Sequence, residues 1–355
     1  MKNKEIAEIL NITPAAVSMA LNNKGGVSEE KREKIFQLKY ETSPNEKRNS
    51  SVPQKGRILF SIHKRTGSAI LETQFFAFLM SSIQEEAERY GYLVDIVHYD
   101  QKLKFEDFMT QERLNSVQGI IVLATEMNSS DADLYYKLGK DVVFIDNWFA
   151  RKPYDCVVMD NVDGIMQAVY YAYHMGHREI GFIGNPEASH NFVERYEGYR
   201  RAMRELRLPV DTNNVYSMPF TTDGAYTEMR SIIRTGRRFP SCLIVGNDIM
   251  AIGVMNALKY AGYSIPKDIS VIGFDDMPVS RYFDPPITSV GIQDRQIGKI
   301  AVRRLMERIE QNKRDFFVKN LVGVELHIRK SVLDLRSNTD RNQPAKQKST
   351  KERTG

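Results

Sequence analysis

An alternation of apolar strand segments and amphipathic helix segments constrains the fold more than any other feature of the sequence. The strand segments are short runs of Val, Ile, Leu and Phe, and the helix segments repeat apolar residues every three or four positions. The predicted strands are 58–62, 92–97, 119–124, 141–145, 180–183, 242–245 and 270–274. A closing strand region is predicted over 316–329, and one of the predicted helices spans 105–115. Because strands that alternate with helices form βαβ units, we predict an α/β fold with parallel sheets. The alternation restarts near Cys156, which predicts two lobes of about a hundred residues each.

Polar side chains follow several predicted strands at the point where each strand ends. These segments are Asp146-Asn147-Trp148, Gly184-Asn185, Gly246-Asn247-Asp248 and Asp275-Asp276. Ligands of open parallel sheets bind outside the carboxyl ends of the strands, so two facing lobes create a cleft between two such edges. The sequence therefore predicts a ligand site between the lobes.

Residues 2–38 show a separate pattern of short helices. An apolar face predicts a helix over 4–10, and Thr13 with Pro14 starts a second one, because Thr is a good N-cap and Pro fits the first helical position. Ser28 is the predicted cap of a third helix. The residues expected to be buried are Ile6, Ala7, Ile9, Leu10, Ala16, Val17, Ala20 and Leu21. This pattern predicts a helix-turn-helix, and a small three-helix bundle without a DNA-binding role is the alternative.

The two ends of the chain are basic and its body is slightly acidic. Residues 1–57 hold 11 Lys or Arg against 7 Asp or Glu, residues 336–355 hold 6 against 2, and the remainder holds 33 against 36. A basic head suits contact with phosphate groups. Residues 40–56 are polar and contain two prolines, which predicts a linker. We find no bilayer-spanning apolar run and no signal-peptide core, so we expect a cytoplasmic protein without a membrane partner.

Short motifs in both parts of the chain resemble the lactose repressor (LacI) family of bacterial transcription regulators. The motifs are Val17-Ser18, Val27-Ser28-Glu29-Glu30, Gly176-His177-Arg178-Glu179-Ile180, Arg195-Tyr196-Glu197-Gly198-Tyr199, Asn247-Asp248 and Val271-Ile272-Gly273-Phe274-Asp275-Asp276. Their joint order carries the resemblance, which covers the sequence from Lys4 to about Leu335.

The resemblance implies a helix-turn-helix head and a periplasmic-binding-protein-like domain of two parallel α/β, Rossmann-like lobes. The implied segments are a head at 1–39, a linker or hinge at 40–56, and a two-lobed effector-binding and dimerisation domain at 57–335. Residues 336–355 are polar and basic and lack large apolar side chains, which predicts a disordered basic tail. Lobe 1 is expected at about 57–160 and 291–320, and lobe 2 at about 161–290 and 321–335.

The resemblance also implies a homodimeric, sequence-specific transcriptional regulator, expected to be a repressor. Its heads would bind a pseudo-palindromic operator in double-stranded DNA, and a small-molecule effector, expected to be a carbohydrate, would bind between the lobes. The implied DNA-binding residues are Lys4, Thr13, Pro14, Ala15, Ser18, Met19 and Asn22. Since the side chains of Pro14, Ala15 and Met19 form no hydrogen bonds with bases, readout would depend on thymine methyl groups and DNA shape. The alternative for Met19 is a half-exposed packing residue.

The effector-binding residues that the resemblance implies are Phe75, Asp146, Trp148, Asn191, Arg195, Phe220, Asn247 and Asp275. Carboxylate, amide and guanidinium groups suit the paired hydroxyls of a sugar, and Trp148 offers a flat apolar surface for a sugar ring. Two alternatives remain: Trp148 packs at a lobe edge, and Arg195 forms a structural salt bridge. If these residues contact the effector, Arg195→Ala or Asp275→Ala should abolish the effector response and preserve both folding and operator binding.

The linker departs from the family pattern. Members of the family carry Asn-x-x-Ala-Arg-x-Leu, whose leucine enters the minor groove, but the stretch from Asn45 to Ser51 contains neither the Ala nor the Leu. Ser51 cannot act as an apolar wedge between bases. Lys47 and Arg48 still suit contacts with the charge of the minor groove.

Enzymatic and transport functions are the other classes to consider. The candidates for catalysis are the paired carboxylates Asp275-Asp276, the Ser28-x-x-Lys31 spacing and the histidines His174 and His177. Ser28 caps a helix, and the two histidines lie at a helix C-terminus without further ligands. We therefore predict no catalytic residue, no metal site and no cofactor. The alternative function is that of a small-solute-binding protein, cytoplasmic or exported, without operator-specific regulation.

Overall fold

The computed structural model describes residues 3–10, 12–21, 35, 53–65, 74–185, 189–312 and 314–336. The chain divides into two compact units, Met1–Pro53 and Gln54–Gly355. Within the described ranges, no helix is both long and apolar enough to cross a lipid bilayer. Cys156 and Cys242 are buried free thiols, as their apolar surroundings predict, and burial raises the pKa of Cys156 to about 12.

The N-terminal unit contains the helices α1 (Asn3–Ile9) and α2 (Pro14–Leu21). The predicted cap is confirmed, because Thr13 Oγ1 accepts a hydrogen bond from the Ala16 backbone N–H at 3.1 Å. The buried core consists of Ile6, Ala7, Val17, Ala20 and Ile35, with Leu10 and Ile12 against it. The predicted third helix, residues 40–52 of the linker and residues 337–355 of the tail lie outside the described residues.

The predicted burial of Ile9 is wrong, since this side chain is 57% exposed. Ile6, Ala7 and Leu10 share one face of α1, and Ile9 points about 100° away from the centre of that face in an ideal helix.

Lobe 1 contains a six-stranded sheet in which every neighbouring pair is parallel. Its strands are β1 (Gly56–Lys64), β2 (Tyr92–Asp100), β3 (Gly119–Leu123), β4 (Asp141–Ile145), β5 (Asp155–Met159) and β11 (Lys319–Val322), in the spatial order β11-β5-β4-β3-β1-β2. Its helices are α3 (Gln74–Arg89), α4 (Phe105–Phe108), α5 (Gln111–Ser116), α6 (Ser129–Tyr136) and α12 (Asp294–Glu310). All residues of β3, β4 and β5 are buried, because apolar clusters cover both faces of the sheet.

Lobe 2 contains a second six-stranded sheet, in which only β12 is antiparallel to its neighbour. Its strands are β6 (Ile180–Gly184), β7 (Val215–Ser217), β8 (Cys242–Val245), β9 (Ser270–Asp275), β10 (Thr288–Gly291) and β12 (Glu325–His327), in the order β12-β10-β9-β8-β6-β7. Its helices are α7 (Asn161–His174), α8 (His190–Glu205), α9 (Thr222–Arg234), α10 (Asp248–Tyr260) and α11 (Pro278–Tyr282). The chain crosses between the sheets three times, after β5, β10 and β11.

The structure corrects the predicted elements in a few places. The helix predicted over 105–115 divides at Met109, because Thr110 adopts an extended conformation and caps α5 by accepting from the Arg113 N–H. The closing strand region predicted over 316–329 is two strands that belong to different sheets. The short elements β7, β10 and α11 were not predicted from periodicity, since they span too few residues to show one.

Candidate functional site

The carboxyl ends of strands from both lobes meet at a cavity of about 80 Å³. Seven of the eight residues that the resemblance implies for the effector line it: Phe75, Asp146, Asn191, Arg195, Phe220, Asn247 and Asp275. The further lining residues are Phe76, Leu123, Thr125, Met159, Ser189, Phe192 and Ile292. The structure therefore brings together residues that are up to about 200 positions apart in the chain.

Asp146 follows β4 and forms a direct link between the lobes. Its Oδ1 accepts a hydrogen bond from Asn191 Nδ2 in α8 at 2.9 Å, and its Oδ2 accepts from Thr125 Oγ1 at 2.6 Å. The residue has φ +68°, a left-handed conformation that Asp tolerates better than most residues and that turns the chain sharply after the strand. Burial raises the pKa of Asp146 above its ordinary value.

Arg195 projects from α8 into the floor of the cavity. Its Nε donates to Asn161 Oδ1 at 2.9 Å, its Nη1 to the Gly246 carbonyl at 2.5 Å, and its Nη2 lies 3.3 Å from Asp275 Oδ1. The guanidinium carbon is 3.8 Å from the centre of the Phe274 ring, which is a cation–π contact. Arg195 is only 4% exposed, so the salt bridge considered as an alternative from the sequence is present and buried.

The pKa values of two acidic residues are raised: Asp275, which contacts Arg195, and Asp248. Burial, together with the charge of Asp146, raises the pKa of Asp275 to about 6 even though Arg195 opposes the shift. Asp248, which is fully buried, accepts hydrogen bonds from the Met277 N–H at 2.9 Å and from two serine hydroxyls. Burial raises the pKa of Asp248 to about 7 despite these donors.

Asp248→Asn should change how the stability of the chain depends on pH. Because the folded-state pKa is about 7, the folded carboxyl holds a proton at pH values where the unfolded one has lost it. This stabilisation is full below the ordinary pKa of Asp and disappears as the pH rises to about 7. The Tm of the variant relative to wild type should therefore increase with pH between about pH 4 and pH 8. The exposed Asp223→Asn in α9 is the control, and a Tm difference that does not vary with pH would contradict the assignment.

Asn247 and the aromatic residues complete the cavity. Asn247 is the N-cap of α10, and its Oδ1 accepts from the Met250 N–H at 2.8 Å, so one side of the amide is held by the helix. Phe75 from lobe 1 and Phe220 from lobe 2 contribute apolar surface. The cavity thus combines carboxylates, an amide and aromatic faces, which is the chemistry that binds a polar ligand with an apolar face.

Trp148 does not line the cavity, in contrast to the expectation that it stacks on the ligand. Its Nε1 donates to Glu194 Oε1 at 2.5 Å, Lys319 Nζ lies 4.5 Å from its ring centre, and the His190 ring meets it edge-on at 5.2 Å. These neighbours occupy the indole, so the residue packs at the lobe edge.

Several lining residues were missed from the sequence. Thr125 and Ser189 are polar residues directly outside regular elements, and Thr125 lies two positions after β3. The rule that ligands bind after strand ends could have found Thr125. The sequence around Phe192 and Ile292 does not identify them as lining residues, because Phe and Ile are equally common among residues that only pack in the core.

The residues expected to contact DNA have mixed exposure. Thr13, Pro14 and Ala15 are exposed at the start of α2, whereas Ser18 and Met19 are half-buried. Lys4 lies in α1, and Asn22 lies outside the described residues. In the described part of the chain, no group of three His, Cys, Asp or Glu side chains is arranged to hold a metal ion.

Comparisons with known proteins agree with this architecture. Residues 169–332 match the family described as "Periplasmic binding protein-like domain". The chain is 27% identical over 338 residues to the HTH-type transcriptional repressor PurR of Haemophilus influenzae, which covers 93% of this chain and 98% of that repressor.

Two solved structures extend the comparison to the fold. A complex of the transcriptional regulator CelR with cellobiose has a TM-score of 0.70 at 21% identity and covers 93% of this chain and 99% of that chain. A lac repressor dimer bound to operator and the anti-inducer ONPF has a TM-score of 0.68 at 21% identity. The match covers 92% of this chain and 98% of the lac repressor chain. The similarity to repressors over nearly the whole sequence and the shared two-lobed fold confirm the resemblance of this chain to the lactose repressor (LacI) family.

Proposed function

We propose that this chain is a transcriptional repressor that binds a pseudo-palindromic operator as a homodimer and responds to a small molecule between its lobes. The observation that carries the proposal is that seven of the eight implied effector residues line one interlobe cavity. The relationship to a transcriptional repressor over 93% of this chain supports the regulatory role. A carbohydrate effector is the finer part of the proposal, and the related fold of a regulator in complex with cellobiose supports it.

The small volume of the cavity suggests how an effector acts. Ligand pockets usually measure about 300–1,000 Å³, whereas this cavity measures about 80 Å³ and is bridged by the bond between Asn191 and Asp146. A ligand must therefore widen the cleft and replace this bond. In our proposal, the lobe movement changes the operator affinity of the two heads. The coupling is reciprocal, so operator DNA changes effector affinity by the same factor.

The regulatory role is tested with the full-length chain and a random duplex library. Selection should enrich pseudo-palindromic sequences, and Met19→Ala should weaken discrimination by about 1–3 kcal/mol at one thymine position in each half-site, because a methyl contact is lost. Val193→Ala, at an exposed position of α8, is the control and should leave the selected sequence unchanged. If Met19→Ala weakened binding to all duplex sequences equally, the proposed role of Met19 in base discrimination would be contradicted. A chain that binds solutes but selects no duplex would instead be a solute-binding protein.

A further inference from the structure

Arg195 is the single basic residue that lines the cavity among the described residues, and most of its donors already bond to the protein. Its Nε and Nη1 donate to Asn161 and Gly246, and its Nη2 lies 3.3 Å both from Asp275 Oδ1 and from Met159 Sδ. A guanidinium has five N–H groups. Since four acceptors of the protein occupy four of them, an anionic ligand would find one N–H available.

Two stretches of sequence that precede lining residues contain no additional Lys or Arg. Residues 66–73 precede Phe75 by a short interval, and residues 186–188 directly precede Ser189. Each stretch contains one Glu and neither contains Lys or Arg. Lys319 is the basic residue beside Trp148, where it lies over the indole ring and outside the lining of the cavity.

Two carboxyl groups line the cavity together with the one guanidinium. Asp146 is buried and Asp275 is partly buried. The lining of the cavity therefore has more acidic than basic side chains. In a poorly hydrated cleft such a surplus repels an anion and attracts a cation or a neutral hydrogen-bond donor.

The hydrogen-bonding groups that remain available agree with the charge balance. Among the described residues no donor reaches Asp275 Oδ2, since Arg195 contacts Oδ1. Asn247 uses its Oδ1 to cap α10, which leaves its Nδ2 for a ligand. Phe75 and Phe220 can cover the apolar face of a ring.

From this geometry we infer that the cleft accepts effectors without negative charge, namely neutral or cationic molecules rich in hydrogen-bond donors, and that it excludes phosphorylated and carboxylated metabolites. The inference rests on the effector role proposed for the cleft and names the class of molecule that fills it. The reason is that the one cation of the site already serves the protein, so the negative charge of a ligand would be buried without compensation.

The test compares matched compounds on the full-length chain. Thermal shift identifies the compounds that bind, and calorimetry then measures their affinities. The panel pairs ribose with ribose 5-phosphate, adenosine with its monophosphate, and glucose with glucosamine, glucose 6-phosphate and gluconate. We expect every stabilising compound to be neutral or cationic and its anionic partner to bind at least tenfold more weakly. An anionic compound that binds as tightly as its neutral partner would overturn the inference, and so would a panel without any ligand.

Two variants locate the selectivity. Asp275→Asn and Asp146→Asn each remove one negative charge at nearly constant volume, and each should reduce the difference in affinity between neutral and anionic partners by about tenfold. Glu228→Gln, at an exposed position of α9, makes the same charge change away from the cleft and should leave the difference unchanged. If both cleft variants preserve the wild-type difference, these carboxylates do not set the selectivity and the inference is wrong.

Operator binding is measured on the same proteins with the selected duplex. Loss of the charge selectivity with retained operator binding would overturn the inference about the effector and leave the repressor function standing. Absence of selective duplex binding in the wild-type chain would contradict the repressor function itself.

Discussion

Arg195→Ala should lower the free energy of unfolding by about 3–5 kcal/mol, which is typical when one partner of a buried ion pair is removed. The guanidinium connects α8 to Asn161, Gly246 and Asp275, and its loss leaves the Asp275 carboxylate in the cleft without a cation. This carboxylate must then stay charged in a poorly hydrated site or take up a proton. The loss of stability should therefore be larger at pH 8 than at pH 5.5, because protonation is less costly in acid.

Chemical denaturation at both pH values measures the effect. Arg200→Ala is the matched control, since Arg200 lies on the same helix with its side chain 54% exposed, and it should change stability little. The expectation from the sequence was that Arg195→Ala would abolish the effector response and leave folding intact. Unchanged stability with a lost effector response would support that simpler role and contradict the structural one.

Asp155→Ala should lower the free energy of unfolding by a similar amount, about 3–5 kcal/mol. Asp155 starts β5 and is 1% exposed; its Oδ1 accepts from Arg304 Nε and its Oδ2 from Arg308 Nη1, both at 2.7 Å. The Val318 N–H donates to the same carboxylate at 2.8 Å. Removal of the carboxylate leaves two buried guanidinium groups of α12 without this partner, so the helix that covers the sheet of lobe 1 loses its main polar anchor.

Thermal and chemical unfolding of Asp155→Ala measure this loss. Asp107→Ala is the control, because Asp107 is an exposed residue of the same lobe in α4. The free energy of unfolding of Asp155→Asn should lie between those of wild type and Asp155→Ala, since the Asn amide oxygen can still accept a hydrogen bond from one arginine. A decrease below about 1 kcal/mol for Asp155→Ala, the range of an exposed pair, would mean that Asp141 and water compensate for the lost carboxylate.

Elements with a local cause were predictable from the sequence. The strands at 141–145 and 242–245 agree with β4 and β8 residue for residue, because continuous apolar runs of this length bounded by polar residues have few other solutions. Thr13 caps α2 as predicted, since a cap depends on residues three positions apart. The division between α4 and α5 was missed because the apolar periodicity continues across Met109 while the backbone does not.

The position of the candidate site was predictable from the sequence, but the roles of its individual residues were predictable only in part. The family resemblance implied seven residues that line the cavity. Three of them, Asp146, Asn247 and Asp275, were also indicated by their positions after strands, because ligands of parallel sheets bind outside the carboxyl ends of the strands. Trp148 follows a strand end like Asp146, yet its indole bonds to Glu194, which lies 46 positions further along the chain. No local pattern reports such a partner. Thr125 had a usable signal, its position after β3, and was overlooked.

The sequence by itself determined the two-lobed parallel α/β architecture, the helical head and the group of polar residues at the strand ends, because propensity, periodicity and caps act over a few residues. Only the tertiary structure decided what these residues do with one another. Arg195 and Asp275 are 80 positions apart, and their contact determines that the one cation of the cleft serves the protein. The charge balance and the small volume of the cleft follow from such distant contacts, which only the packed chain establishes.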